Sequence, residues 1–177
     1  MTNRSLVRSV PTFILVSILA VACTATTQQS QVPSGREFGS LISSNAHACI
    51  EEGRQTFRYD TFGDEGFWSD ALKLHQAIAG AAQGGVGPGV SPKTALSVGL
   101  KVDAAVLPKE LVAQIMSGKV NMDDPATTLA LLKLNAVIGL KGTSNKDGSL
   151  KSVGITCALC HSTVDNSFSP GIGARLD

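Results

Sequence analysis

Residues 157–161, Cys-Ala-Leu-Cys-His, bring two thiols and an imidazole into five consecutive positions. Residues three apart on a helical turn lie on one face, so Cys157 and Cys160 can hold one object between them while His161 stands beside it. Whatever occupies that turn, the rest of the chain has to be arranged around it. The motif lies close to Asp177, where the sequence stops.

The other end of the sequence reads as an export signal. Arg4 and Arg8 form a basic start, Phe13 to Ala22 is an apolar run too short to span a bilayer comfortably, and Ala20-Val21-Ala22 is a cleavage pattern. Cys23 follows at once, so residues 1–22 read as a lipoprotein-type signal peptide and Cys23 as the lipidated mature N-terminus. Plain signal-peptidase cleavage and an uncleaved anchor are the alternatives. Each delivers the bulk of the chain outside the cytoplasm, with a membrane-anchored periplasmic lipoprotein the preferred reading. Without Arg4 and Arg8, 13 of the 15 basic residues remain against 14 acidic ones. With no basic stripe, nucleic acid is excluded as a partner.

Residues 23–35, mainly Thr, Gln, Ser, Pro and Gly, read as a flexible tether. A helix is expected over about 36–54, with Phe38, Leu41, Ile42 and Cys49 on one face. The aromatic- and turn-rich segment Gly53–Glu65 follows. Asp64 then caps a helix expected over about 65–79, with Phe67, Trp68, Leu72 and Ile78 on or near its buried side. Gly80–Gly89 reads as a flexible loop and lacks the Lys-Ser/Thr ending of a phosphate-binding loop. Short helices are expected after Ser91-Pro92 and from Leu107-Pro108 to Gly118. A third, opened by Asp124-Pro125, carries Leu129, Leu131, Leu132, Leu134, Val137 and Ile138 and is expected to be buried. Segments 137–141 and 150–155 flank the turn signal Asn145-Lys146-Asp147-Gly148 and predict a short β-hairpin. Residues 36–150 thus form a helical region, and 151–177 a separate segment carrying the motif.

Three chemistries use the motif. Covalent haem c needs two thiols, the adjacent His and export, and all are present: Cys157 and Cys160 make the thioethers and His161 is the proximal iron ligand. A zinc site would combine Cys157 and Cys160 with His47 and Cys49. A thiol–disulfide reagent would need a thioredoxin-like βαβ unit, which the pattern does not offer. Haem iron also has a distal position. No Met or His follows His161, which leaves His47, His75, Met116 and Met122 upstream, or a ligand from outside the chain.

The segment Cys157–Val164, followed by Ser169-Pro-Gly-Ile-Gly-Ala-Arg-Leu-Asp177, resembles the start of a class I cytochrome c haem domain. Gly53-Arg-Gln-Thr-Phe-Arg-Tyr-Asp60 resembles the G-x-x-x-F-x-x-D opening of bacterial di-haem cytochrome c peroxidase-like proteins. Together these resemblances imply a mainly α, cytochrome c-like helical domain, with a short β-hairpin before the haem motif and incomplete at its C-terminus. They imply one covalent haem c and electron transfer with a redox partner protein; a peroxidase-like enzyme and a non-haem module, zinc- or partner-binding, are the alternatives. The family enters its haem motif on a helix, whereas Val153-Gly-Ile-Thr156 here are poor helix formers.

Overall fold

Ser34 opens the described part of the chain by capping a helix: its Oγ accepts the Glu37 N–H while the Glu37 carboxylate accepts the Ser34 N–H, a capping box. The computed structural model describes residues 34–177; the expected signal peptide, Cys23 and nearly all of the expected tether lie outside them. The helix so capped, α1 (Gly35–Tyr59), runs 25 residues. It extends through Gly53–Tyr59, which the aromatic and turn-forming residues had suggested was irregular. None of its residues is buried, and Phe38, Leu41, Ile42 and Ile50 are each more than half exposed.

The helix expected over 65–79 is broken. A π-helical turn spans Gly66–Ala71, Lys73 takes a left-handed conformation (φ 56°), and α2 covers only Leu74–Ala79. Phe67 and Leu72 are consequently exposed, while Ile78 reaches the core. Gly80–Gly89 folds back on itself instead of forming an open loop. The Ala81 N–H bonds Gly87 O at 2.9 Å and the Gly85 N–H bonds Gly80 O at 2.8 Å. Gly80 (φ 74°) is required there, because a Cβ would sit 2.6 Å from the Gly89 backbone.

Then follow α3 (Pro92–Ser97), capped by Ser91; β1 (Val102–Asp103); α4 (Lys109–Met116); and α5 (Pro125–Lys133), capped by the Asp124 side chain. Leu129, Leu131 and Leu132 of α5 are buried among Ile78, Val102, Leu107, Val153 and Ile172. Each such side chain contributes about 1.5–3 kcal/mol relative to exposure, so α5 is the centre of the core. It stops at Lys133, since Asn135 turns left-handed (φ 54°). Val137 and Ile138 therefore leave the helix on which the sequence had placed them. Val137 bridges Val102, and Ile138 joins a second cluster with Ala158 and Val164.

The hairpin pairs β2 (Leu140–Ser144) with β3 (Leu150–Ile155) in antiparallel register, Gly142 opposite Val153. Its first strand begins later than the apolar pattern suggested, and Asn145–Gly148 form the turn. One turn of helix, α6 (Ala158–His161), leads to β4 (Thr163–Val164), β5 (Ile172–Gly173) and β6 (Arg175–Leu176). β5 lies parallel to β1 and β6 antiparallel to β4, which folds the last residues onto the body. Helical turns of all kinds make up about 49% of the structure and the sheets are small, which accords with a mainly α chain. Among the described residues, no helix is long and apolar enough to cross a membrane.

Candidate functional site

β3 delivers the chain to the C-x-x-C-H motif, and both of its edges are paired. The inner edge bonds β2. On the outer edge, the N–H groups of Val153 and Ile155 point to one side, as alternate residues of a strand must. Ser69 Oγ accepts the first at 2.7 Å and the Asp64 carboxylate accepts the second at 3.1 and 3.2 Å. Asp64 also accepts the Trp68 Nε1–H at 3.0 Å. The side chain expected to cap a helix thus binds a strand 91 residues away. Between the two contacts Gly154 is hemmed in: a Cβ would lie 2.5 Å from Thr61 Cγ2 and 2.6 Å from Asp64 Oδ1.

The Thr156 N–H then bonds Gly139 O at 3.0 Å and the chain turns into α6. Gly139 (φ 83°) passes directly beneath, where a Cβ would meet Leu159 Cα at 2.3 Å. Ala158 is fully buried against Ile138 and Val164, with Phe57 of α1 packed on the same cluster. That burial turns the other side of α6 outward, so Cys157, Cys160 and His161 are all exposed and both thiols are free. His161 opens on a groove of about 440 Å³ lined also by Ile50, Gly53, Arg54, Phe57 and Asp177. One wall of the groove is therefore the apolar face of α1.

A charged lattice closes one end. Arg58 Nε lies 3.2 and 3.0 Å from the two Asp177 carboxylate oxygens, and Arg58 Nη2 bonds the same group. Ser162 Oγ donates to it at 3.1 Å. Burial pushes the Asp177 carboxyl up, but the hydrogen bonds from Arg58 and Ser162 and the charges of Arg58 and Arg175 outweigh it and hold the group below its ordinary range. The hydrogen bond to Asp177 likewise raises Arg58 against the opposing effect of burial. The Arg175 side chain, only 3% exposed, has its Nε 3.7 Å from both Asp103 and Asp177, and its guanidinium lies 5.9 Å from the Tyr59 ring centroid.

The other residues singled out by the sequence lie elsewhere. His47 and Cys49 are exposed on α1. His75 lines a separate polar cavity of about 220 Å³ with Gln76, Gln83, Asn145 and Lys151. Met116 is exposed on α4, and Met122 packs on the main core. None of these lines the groove at His161. Among the described residues no three His, Cys, Asp or Glu side chains converge as a metal-binding group, so the His47–Cys49–Cys157–Cys160 set is not assembled. α6 follows a strand of an antiparallel hairpin, unlike the βαβ setting of a thioredoxin-like motif. Arg58, Asp177, Arg175, Gly139 and Ser69 were not singled out by the sequence. Arg58, Arg175 and Asp177 lie inside the two segments that carry the cytochrome resemblances, but at positions to which neither resemblance gave a role.

No protein-family model, no curated protein and no solved structure matches this chain. The donor set fits a covalently held haem on its proximal side: two free thiols and an imidazole on one exposed turn, with an apolar wall facing the imidazole.

Proposed function

We propose that this chain is an exported c-type cytochrome that carries one covalent haem c and transfers electrons to a redox partner protein. The observation that carries the reading is His161, beside two free exposed thiols, opening on a groove walled by the apolar face of α1. The signal-like residues 1–22, with Cys23 as lipid site, support a periplasmic lipoprotein, because haem c attachment belongs to an exported chain.

Cys157 and Cys160 would hold the group covalently, each thiol adding across one haem vinyl group. That addition would be redox-neutral, the C–S bond and the new C–H bond replacing the S–H bond and the vinyl double bond. His161 would ligate the iron through its imidazole. When bound, haem supplies the one-electron Fe(III)/Fe(II) couple. The remaining work is the protein's: α6 fixes the three donors, Ala158 ties that turn to the second core cluster, and α1 keeps water from one side of the groove.

The test is expression of the whole chain with haem-maturation machinery, followed by haem staining after denaturing electrophoresis. The wild type should carry a haem band and the Cys157→Ala/Cys160→Ala double variant should not. A wild type without the band, or a double variant that keeps it, refutes the reading. His161→Ala should retain part of the band while losing the wild-type ligation spectrum.

A further inference from the structure

α1 is an amphipathic helix of 25 residues that buries none of them, yet its far end is firmly placed. Phe57 packs on the Ile138–Ala158–Val164 cluster and Arg58 is tied to Asp177, 119 residues away. A helix in water draws most of its stability from tertiary packing of its apolar face, and here the C-terminal part of that face, Ile50 and Phe57, is turned toward the groove at His161. We propose that α1 is the second wall of the haem site, with the Ile50–Gly53–Phe57 face lying against the macrocycle and Arg54 pairing with the haem carboxylates. This rests on the haem reading above and goes beyond it by assigning a binding role to α1.

Gly53 marks the place. A glycine inside a helix costs about 0.5–1 kcal/mol relative to alanine, yet it stands between Ile50 and Phe57 on the groove wall. A Cβ there would meet nothing within 4 Å, so no neighbouring protein atom requires the glycine. On the groove wall the missing side chain leaves room for a flat ring to lie against the helix backbone. Ile50, on the same wall, leaves more than half of its surface to be covered.

Charge sets the orientation. Of the cations around the groove, Arg58 and Arg175 are held by Asp177 and Asp103. Arg54 is engaged only with Glu51, in an exposed pair of the kind worth about 0–1 kcal/mol, and so is free to exchange partners. Asp177 also lines the groove, but its carboxylate is already matched by Arg58 and Arg175 and offers nothing to a second carboxylate. The acidic edge of the haem is thereby directed to Arg54.

The full chain, matured with haem, is compared as wild type, Arg54→Gln, Arg54→Lys and Gly53→Phe, with Lys93→Gln, an exposed side chain of α3, as a control of equal charge change. All variants should keep the covalent haem band, because Cys157, Cys160 and His161 are untouched. Arg54→Gln should shift the reduction equilibrium toward the ferric form by about fivefold, the size expected of one unit charge a few ångströms away in a solvent-open site. Arg54→Lys and Lys93→Gln should stay near the wild type. Gly53→Phe should change the Soret circular dichroism. An unmoved equilibrium in Arg54→Gln, or an unmoved Soret signal in Gly53→Phe, in protein that carries the haem band overturns the wall assignment and leaves the haem reading intact. A wild type without the band overturns both.

Discussion

Ser69 and Val153, both almost completely buried, exchange two hydrogen bonds: the Val153 N–H donates to Ser69 Oγ at 2.7 Å and Ser69 Oγ–H donates to Val153 O at 2.9 Å. One hydroxyl thus replaces a neighbouring strand for that residue. It is supplied by the π-helical turn, which brings Ser69 to the strand edge that Asp64, bonded in turn by Trp68, also occupies. The position of β3, and hence of Cys157 two residues beyond it, depends on side chains from residues 61–69.

Ser69→Ala should leave both Val153 groups without partners in a dry site. The expected loss is ~2 kcal/mol, the range for stranding buried polar groups. It should appear as a lower urea midpoint with an unchanged far-ultraviolet circular dichroism spectrum. A midpoint equal to the wild type would mean that the exchange contributes nothing.

Gly139→Ala should displace α6, because its Cβ would fall 2.3 Å from Leu159 Cα, a backbone atom that cannot rotate away. Overpacking of this kind costs about 1–3 kcal/mol, and the yield of covalent haem should fall with it. Gly142→Ala is the comparison: its Cβ would meet only the Leu132 and Leu150 side chains at 3.3 Å, and the yield should hold.

Arg58→Ala should destabilise the fold by ~2 kcal/mol at neutral pH, as expected for hydrogen bonds to a charged group. The sign of the pH dependence follows from Asp177, whose carboxyl titrates lower in the folded chain than in the unfolded one. Its contribution is complete above the ordinary carboxylate value of about 3.9 and disappears as pH falls through the depressed folded value. Denaturation curves of wild type and Arg58→Ala should therefore be well separated at pH 7 and converge in acid. A constant separation down to pH 2 would exclude Asp177 as the partner that matters.

Cys23→Ser should move the protein from the membrane fraction to the soluble periplasmic fraction and abolish incorporation of labelled fatty acid. Cys49→Ser, on the exposed face of α1, should change neither.

Much of the local structure was legible because it depends on neighbouring residues. Ser91-Pro92 and Asp124-Pro125 start helices, Asn145–Gly148 turn the hairpin, and the leucines of α5 form the core. Errors arose where a distant partner overrides local preference. Asp64 looked like a helix cap, yet its carboxylate is taken by Ile155 and Trp68. Val137 and Ile138 continued a helical apolar pattern until Asn135 broke it, because Val102 and Ala158 offered separate partners.

Residues 157–161 put two thiols and an imidazole within five positions, behind an export-like leader, and this is visible in the order of residues. What that turn faces depends on packing between distant segments. Burial of Ala158 turns His161 outward, and Phe57 with the Arg58–Asp177 pair holds α1 across from it. Covalent spacing along one turn is local and can be read residue by residue. A groove between residues 50–57 and 161–177 exists only once long-range packing has set two distant segments side by side.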